Sequence, residues 1–361
     1  MNKNLKQILI LLLSLLTIVH TDIYCQKLEG VVFDRNNQIP VFNANVYLEG
    51  ATLFTTTDSL GRFELMAKEG INTQLVISHV SYETVFIPEP FSFLADTIFP
   101  EERVLLIGEI IVEKETFDRE QMLKAFYRQF LGTSRSARSC KILNEEDIIL
   151  YYDKNERLLS AVCYKPIRIE NRHLGYNIHL DLNYFNIKYR GKTIRGDDVS
   201  STGFEGSFFF EDIFPDNETI KKRRHQVYDG SAAHFLRTIT NGKWEKSDNI
   251  IYRDAEYILY KDGDRLGRYA ENCFTISDSL SYKKVMLDYI IQQRNATYEG
   301  RPLVAKLYVL RNEKKSELIF FKDQFIVDGS GLMQNPEDIL FKGHMGSQRI
   351  GDQLPVDYGL E

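Results

Sequence analysis

Apolar and polar positions alternate in short runs from Lys27 to about residue 90, and no 3.6-residue period appears there. These runs predict strands at 27–33, 45–48, 54–57, 62–66, 75–80 and 82–87. Turn residues separate them. Asp34-Arg35-Asn36-Asn37 is a polar turn, and Glu49-Gly50 ends the second run. Asp58-Ser59-Leu60-Gly61 predicts a hairpin between 54–57 and 62–66, because Asp bonds the backbone that follows it and Gly takes positive φ without strain. Pro88 and Pro90 close the unit, which reads as a small antiparallel β-sandwich over residues 26–100.

Residues 101–132 read as a connector and a helix. Glu101, Glu102 and Arg103 are charged, and 104–112 is expected to be a last strand of the sandwich. Asp118 then suits an N-cap and Gln121 the capping-box position, with Phe117 and Met122 spaced as a hydrophobic staple. Met122, Phe126 and Phe130 share a face with Leu123 and Tyr127, and Gly132 follows as a stop. That stripe is expected to pack against the domain that follows.

Residues 133–361 are strand-rich from Asp147 onward. In 176–189, Tyr176, Ile178, Leu180, Leu182 and Tyr184 alternate with Asn177, His179, Asp181 and Asn183. The phase then flips to Phe185, Ile187 and Tyr189, which predicts a β-bulge inside one long strand with one wet face. Further strands are expected at 250–260, 303–310 and 318–327, with turns at Asp262-Gly263, Asn312-Glu313 and Asp328-Gly329. Asp216 is expected to cap a helix through about Tyr228, and Ser231 a second one ending at Asn241-Gly242. The fold class is therefore β-dominated: an N-terminal transthyretin-like or Ig-like β-sandwich, then an α+β domain with an antiparallel sheet and a few helices.

The first residues follow another pattern. Lys3 and Lys6 precede an apolar stretch from Ile8 to Val19, followed by His20-Thr21-Asp22 and a small residue at Cys25. This is the layout of a secretory signal peptide over residues 1–25. Tyr24 is bulky for the residue before a lipidated cysteine, so Cys25 is read as the residue before the cut and not as a lipid anchor. The expected location is the periplasm or the outer-membrane surface. Elsewhere no apolar run reaches the roughly 18–20 residues of a membrane span.

The whole chain has 361 residues with a net charge of −6, which argues against a nucleic-acid partner because a broad positive field is missing. Its 27% charged and 43% hydrophobic residues make a globular balance. After the signal, Cys140, Cys163 and Cys273 remain, too few for a disulfide framework and without a Cys-x-x-Cys pair. They are expected to act as small hydrophobes.

Candidate chemistry is sparse. No His-x-x-Glu zinc pair, His-Glu-x-x-His, Gly-x-Ser-x-Gly or phosphate-binding glycine loop occurs, so no metal and no cofactor is expected. His79 has Glu83 four residues on, in a strand–turn context that separates them. Ser231 with His234 is the nearest nucleophile–base pair, which a capping serine beside a hydrogen-bonded histidine also explains. His179 and His225 join them as the candidates for a hydrolase site in the second domain. Lys221-Lys222-Arg223-Arg224-His225 offers cations for an anionic headgroup or acidic glycan, but consecutive charges wrap around a helix and read as a solvated face or a contact with an acidic loop. Glu145, Glu146 and Asp147, like Asp262 and Asp264, lack the spacing of a calcium loop.

Several segments carry a resemblance. These are Leu28-Glu29-Gly30-Val31-Val32-Phe33-Asp34, Pro40, Ala44-Asn45-Val46-Tyr47-Leu48-Glu49-Gly50, Thr57-Asp58 with Gly61-Arg62-Phe63, and Val76-Ile77-Ser78 before Tyr82-Glu83. Together they resemble the carboxypeptidase-like regulatory domain, a transthyretin-like sandwich abundant in exported Bacteroidetes proteins. Phe42-Asn43 stands where that pattern has a small residue and Gly, and Ser81 where it has Gly. The resemblance implies an accessory domain without peptidase activity. Phe130 to Ala137, Ile169-Glu170-Asn171, Leu174-Gly175-Tyr176, Tyr228 to Phe235 and Arg349 to Tyr358 resemble an uncharacterised C-terminal region that follows such sandwiches. This second resemblance implies an exported protein and supplies no known activity. Export, the absence of catalytic motifs and the family resemblance together lead to the expectation of a non-enzymatic adaptor or binding protein whose partner is an envelope or outer-membrane protein; the alternative is a periplasmic or surface hydrolase with its site in the second domain.

Overall fold

A computed structural model describes residues 25–68, 71, 73–93, 96–103, 116–241, 250–252, 274–278, 282–288, 293 and 296–360. The strand expected at 104–112, Cys273, Asp262 and Asp264, and the residues before Cys25 lie outside them.

The N-terminal unit is a two-sheet sandwich. Its elements are β1 (Cys25–Val32), β2 (Asn45–Leu48), β3 (Phe54–Thr56), β4 (Arg62–Lys68), β5 (Leu75–Ser78), β6 (Val85–Ile87), the one-turn helix α1 (Pro90–Phe93) and β7 (Thr97–Ile98). One sheet runs β4-β1-β7 and the other β3-β2-β5-β6, with β1 and β7 parallel and every other pair antiparallel. Leu28, Val32, Val46, Leu48, Phe63, Leu65, Leu75 and Ile77 fill the space between them. The Asp58–Gly61 turn forms as expected, but β3 and β4 belong to different sheets, so the predicted hairpin is a crossover. A Cβ on Gly61 would stand 2.4 Å from the Val32 carbonyl oxygen, which explains the glycine at this φ of +73°.

The middle unit comprises α2 (Arg119–Phe130), α3 (Arg135–Arg138), β8 (Cys140–Ile142), β9 (Ile149–Asp153), β10 (Leu158–Val162), β11 (Ile167–Asn171), β12 (Tyr176–Tyr189), β13 (Val199–Asp212), α4 (Glu218–Tyr228) and α5 (Ala232–Thr240). β12 is its spine. It pairs β13 along its whole length, β11 along its first half and β10 along its second, with β8 and β9 outermost. The bulge forms, but before Tyr184 and not after it: Leu182 faces Gly206 and Tyr184 faces Glu205, leaving Asn183 without an opposite residue and turning Tyr184 outward. Tyr176, Ile178, Leu180, Leu182, Phe185, Ile187 and Tyr189 consequently all reach one buried face.

α2 closes that core. Asp118 accepts from the Gln121 backbone N–H at 2.8 Å, and the Gln121 side chain returns a bond to the Asp118 N–H at 3.1 Å. Phe126 stacks on Phe130 with centroids 4.7 Å apart, and both meet the Phe185 ring edge-on. α4 is capped by Asn217, one residue beyond the predicted Asp216. The Asn217 side chain accepts from both Thr219 and Ile220 backbone N–H groups at 3.0 and 3.1 Å. Ser231 caps α5 as expected.

The last strands are β14 (Ile250–Tyr252), β15 (Phe274–Asp278), β16 (Tyr282–Leu287), β17 (Ala296–Tyr298), β18 (Arg301–Leu303), β19 (Ala305–Arg311), β20 (Lys314–Phe320), β21 (Gln324–Asp328) and β22 (Ile339–Gly343). They form sheets β14-β19-β20-β22 and β15-β16-β21 and the hairpin β17-β18. Phe235, Leu236 and Ile239 of α5 seal the core between the two larger sheets. The strand expected at 318–327 is two strands in two sheets. Its chain bends where Phe321 N–H donates to the Asp338 carbonyl and the Asp323 carbonyl accepts from Leu287 N–H. The run at 303–310 likewise divides between β18 and β19.

Candidate functional site

The polar face of β12 is not wet where β2 and β5 meet it. Tyr47 and Val76 from the sandwich pack on Phe209 of β13, and Phe54 lies 4.7 Å from the same ring. Tyr47 Oη is 2.8 Å from Ser207 Oγ and donates to Asp181 Oδ2 at 3.3 Å. Ser78 Oγ donates to the same carboxylate oxygen. Main-chain bonds fasten the seam: Gly50 N–H to the Phe208 carbonyl at 2.8 Å and Phe210 N–H to the Ala51 carbonyl at 2.9 Å. Glu49 Oε1 accepts from Phe208 N–H at 3.1 Å, while Oε2 is buried without a partner. Burial pushes the Glu49 carboxyl up to about 8, and Asp181 adds to the rise. Asp181 is raised as well, by burial first. In the seam, burial favours the protonated form of both acids.

The C-terminal segment ties all three units together. Val356 and Leu360 pack on the sandwich core, and Val356 N–H donates to the Gly50 carbonyl at 2.9 Å. Asp357 accepts from Thr52 N–H at 2.9 Å. Arg237 of α5 is buried and donates to the carbonyls of Ser330, Val356 and Tyr358.

At the opposite end of β2 and β3 the sandwich carries an apolar tip. Ile39, Phe42 and Leu60 are 53%, 63% and 52% exposed. Their backbone is held rigid from beneath. Asp34 Oδ1 accepts from Asn36 and Asn37 N–H groups at 2.7 Å each, and Gln38 and Asn43 take positive φ. Asn43 occupies the left-handed conformation at the position where the resemblance expects Gly, a conformation that Asn tolerates. Thr57 Oγ1 bridges Ala44 N–H and the Val41 carbonyl, and Gly61 packs on Pro40 between Ile39 and Leu60. Water-facing apolar side chains on a backbone this well fixed suit a partner surface.

The residues singled out from the sequence are spread over different elements. Ser231 is buried at the α5 N-terminus, where its hydroxyl accepts from His234 N–H at 3.1 Å. His234 Nδ1 accepts from Gly230 N–H at 3.3 Å, and the ring lies 4.9 Å from Tyr228. That nitrogen is therefore occupied and not available to take the Ser231 proton. Burial and Arg311 hold His234 below the usual histidine range. His179 stands on β12, its ring parallel to Phe209 at 4.6 Å and its Nε2 3.5 Å from Glu211 Oε2. His225 is exposed on α4.

The basic run is divided by its helix. Arg224 is buried, doubly bonded to Asp212 at 2.7 and 2.6 Å, bonded to the Leu174 and Gly175 carbonyls, and 3.8 Å over the Tyr176 ring. Lys221 pairs with Glu218, Arg223 reaches the His173 carbonyl at 3.5 Å, and Lys222 is exposed. Asp147 is held by Lys165 and Asn144, which keep it below the usual carboxylate range, and Glu145 accepts from Tyr127. Cys140 and Cys163 are free thiols. Among the described residues no group of three His, Cys, Asp or Glu side chains is placed to hold a metal. No described helix is long and apolar enough to cross a membrane.

Sequence reasoning missed the tip and the seam. The tip's only signal was Phe42 in place of a small residue. The seam had none, since Tyr47 and Ser78 lie 134 and 103 residues from Asp181.

Residues 28–90 match the family model of the CarboxypepD_reg-like domain. The match spans β1 to β6 of the regulatory-like domain and includes the whole apolar tip. No curated protein matches the chain.

Proposed function

We propose that this is an exported, non-enzymatic envelope protein, an adaptor that docks on an envelope or outer-membrane protein through the tip of its regulatory-like sandwich. The carrying observation is the exposed Ile39, Phe42 and Leu60 on a backbone fixed by Asp34 and Thr57, at the end of β2 and β3 opposite the C-terminal segment bound at Gly50 and Thr52. Preorganised loops lose little entropy on docking, so a small apolar surface yields usable affinity. The resemblance of the second domain to the uncharacterised region of exported Bacteroidetes proteins, and the signal-like residues 1–25, support the same reading.

Crosslinking in intact cells, followed by membrane fractionation, tests it. The native chain is expected to capture one stoichiometric envelope partner. Phe42→Asp with Leu60→Ser should lose that partner while keeping the native circular dichroism and melting temperature. A soluble monomer without a partner, or a partner indifferent to both substitutions, overturns the reading.

A further inference from the structure

We infer that the outer edge of β8 is a second binding site, one that takes an extended, carboxylate-bearing peptide segment as an added strand. Among the described residues β8 pairs on one side only, with β11: Cys140 faces Asn171, Lys141 faces Glu170 and Ile142 faces Ile169. Leu143 N–H donates to the Arg168 carbonyl at 2.8 Å, which makes Leu143 and Lys141 the residues whose main chain turns toward β11. Cys140 and Ile142 therefore direct their N–H and C=O groups to the other edge, and no described strand pairs there.

That edge opens into a groove of about 730 Å³ whose far wall is the end of α2, the Gly132-Thr133 loop and the end of α3. The volume lies within the roughly 300–1,000 Å³ of ligand clefts. Leu131, Ala137 and Ile142 are buried beneath the groove, and Leu143, 45% exposed, forms an apolar lip. Gly132 keeps the wall low at a φ of +99°, a conformation that a side chain would strain.

Charge sets the chemistry of the occupant. Arg128, Arg138 and Lys141 line the groove and are exposed, and Arg138 is steadied by a 2.7 Å bond to the Thr133 carbonyl. At the other end Glu145 is engaged, accepting from Tyr127 while its carbonyl accepts from Arg119 at 2.7 Å, and the exposed Glu146 makes that end acidic, so a carboxylate belongs at the Arg138 and Lys141 end. A strand edge unpaired among the described residues, an apolar lip and cations at one end complement an extended segment with an apolar side chain and a carboxylate. The site is about one strand long, and it lies on a different unit from the sandwich tip, so the two proposals stand or fall separately.

Fluorescence anisotropy on the full chain tests the site with three dye-labelled peptides. The first is Thr-Val-Thr-Val-Leu with a free C-terminal carboxylate. The second is Thr-Val-Thr-Leu-Glu with an amidated end, which carries the carboxylate on a side chain. The third is the first peptide with alternate amide nitrogens methylated, so that it cannot pair with β8. Saturable binding of either unmethylated peptide is expected, and the preferred one tells a chain terminus from an acidic side chain as the natural source. The methylated peptide and the variants Lys141→Glu and Arg138→Glu should each bind at least about tenfold more weakly, at an unchanged melting temperature. Phe42→Asp should bind like the native chain. Absence of binding up to about 1 mM, equal binding of the methylated peptide, or indifference to both charge reversals overturns the proposal. So does concentration-dependent self-association that Lys141→Glu abolishes, which would make a second copy the occupant.

Discussion

Glu49 shows how a single residue couples pH to the joint between domains. One of its carboxyl oxygens accepts the Phe208 N–H and the other is buried without a partner, near Asp181. An acid whose folded pKa is raised favours the folded state fully below its unfolded value near 4.5 and loses that contribution as pH rises to about 8. Asp181 shifts the same way, whereas Arg103 and the hydroxyls of Tyr47 and Ser78 oppose its rise. The melting temperature of the native chain should therefore fall between pH 5 and 8, and Glu49→Gln should flatten that fall and melt higher at pH 8. Identical pH profiles for the two proteins would show that the carboxyl is ionised in the seam. No local pattern announces such a residue, since Glu49 reads from the sequence as the end of a strand. The backbone N–H that it accepts from, that of Phe208, lies 159 residues away.

At the scale of the element, β12 carries its own design. The phase flip predicted a bulge, and the unpaired Asn183 brings seven side chains from both halves to one buried face. Because Asn183 is the extra residue, deleting it makes the alternation regular and leaves Leu182, Phe185, Ile187 and Tyr189 on the buried face, opposite the same β13 residues. The deletion variant should therefore fold, with a denaturation midpoint close to that of Asn183→Ala. A deletion variant that aggregates on expression would show that the bend made by the bulge is itself required. α2 was equally legible, because its cap, staple and stop are all local. The hairpin expected between 54–57 and 62–66 failed for the opposite reason. A turn specifies a reversal, not whether the next strand stays in the same sheet. The 318–327 run failed similarly, because an apolar stretch that bends between two buried sheets looks continuous in one dimension.

At the scale of the molecule, the C-terminal segment is a strap. Val356 and Leu360 complete the sandwich core from the far end of the chain, and Arg237 holds the same segment from α5. Truncation after Gln353 removes those apolar contacts and strips the buried guanidinium of two carbonyl partners, a costly loss for a buried charge. Calorimetry on the truncated protein should show a lower transition that has split in two as the sandwich melts apart from the rest. A single, unshifted transition would mean that the seam at Phe208 and Phe210 suffices by itself. This arrangement also bears on the proposed adaptor role: the seam and the strap cover the β2 and β5 face and the Gly50 end of the sandwich, while Ile39, Phe42 and Leu60 stay exposed.

Residues close in the chain determined much of this protein: the strand-rich class, the sandwich strands, the bulge in β12, and the caps of α2 and α5. The forces behind them act within a few residues, through side-chain alternation, turn propensity and orphaned amide groups, and one dimension records them. Tertiary structure alone decided which sheet each strand joined and which face of β12 the sandwich covered. It also buried Arg224 out of its charged run. Those outcomes depend on burial and on partners far apart in the chain, and a residue acquires them only when the folded surfaces meet.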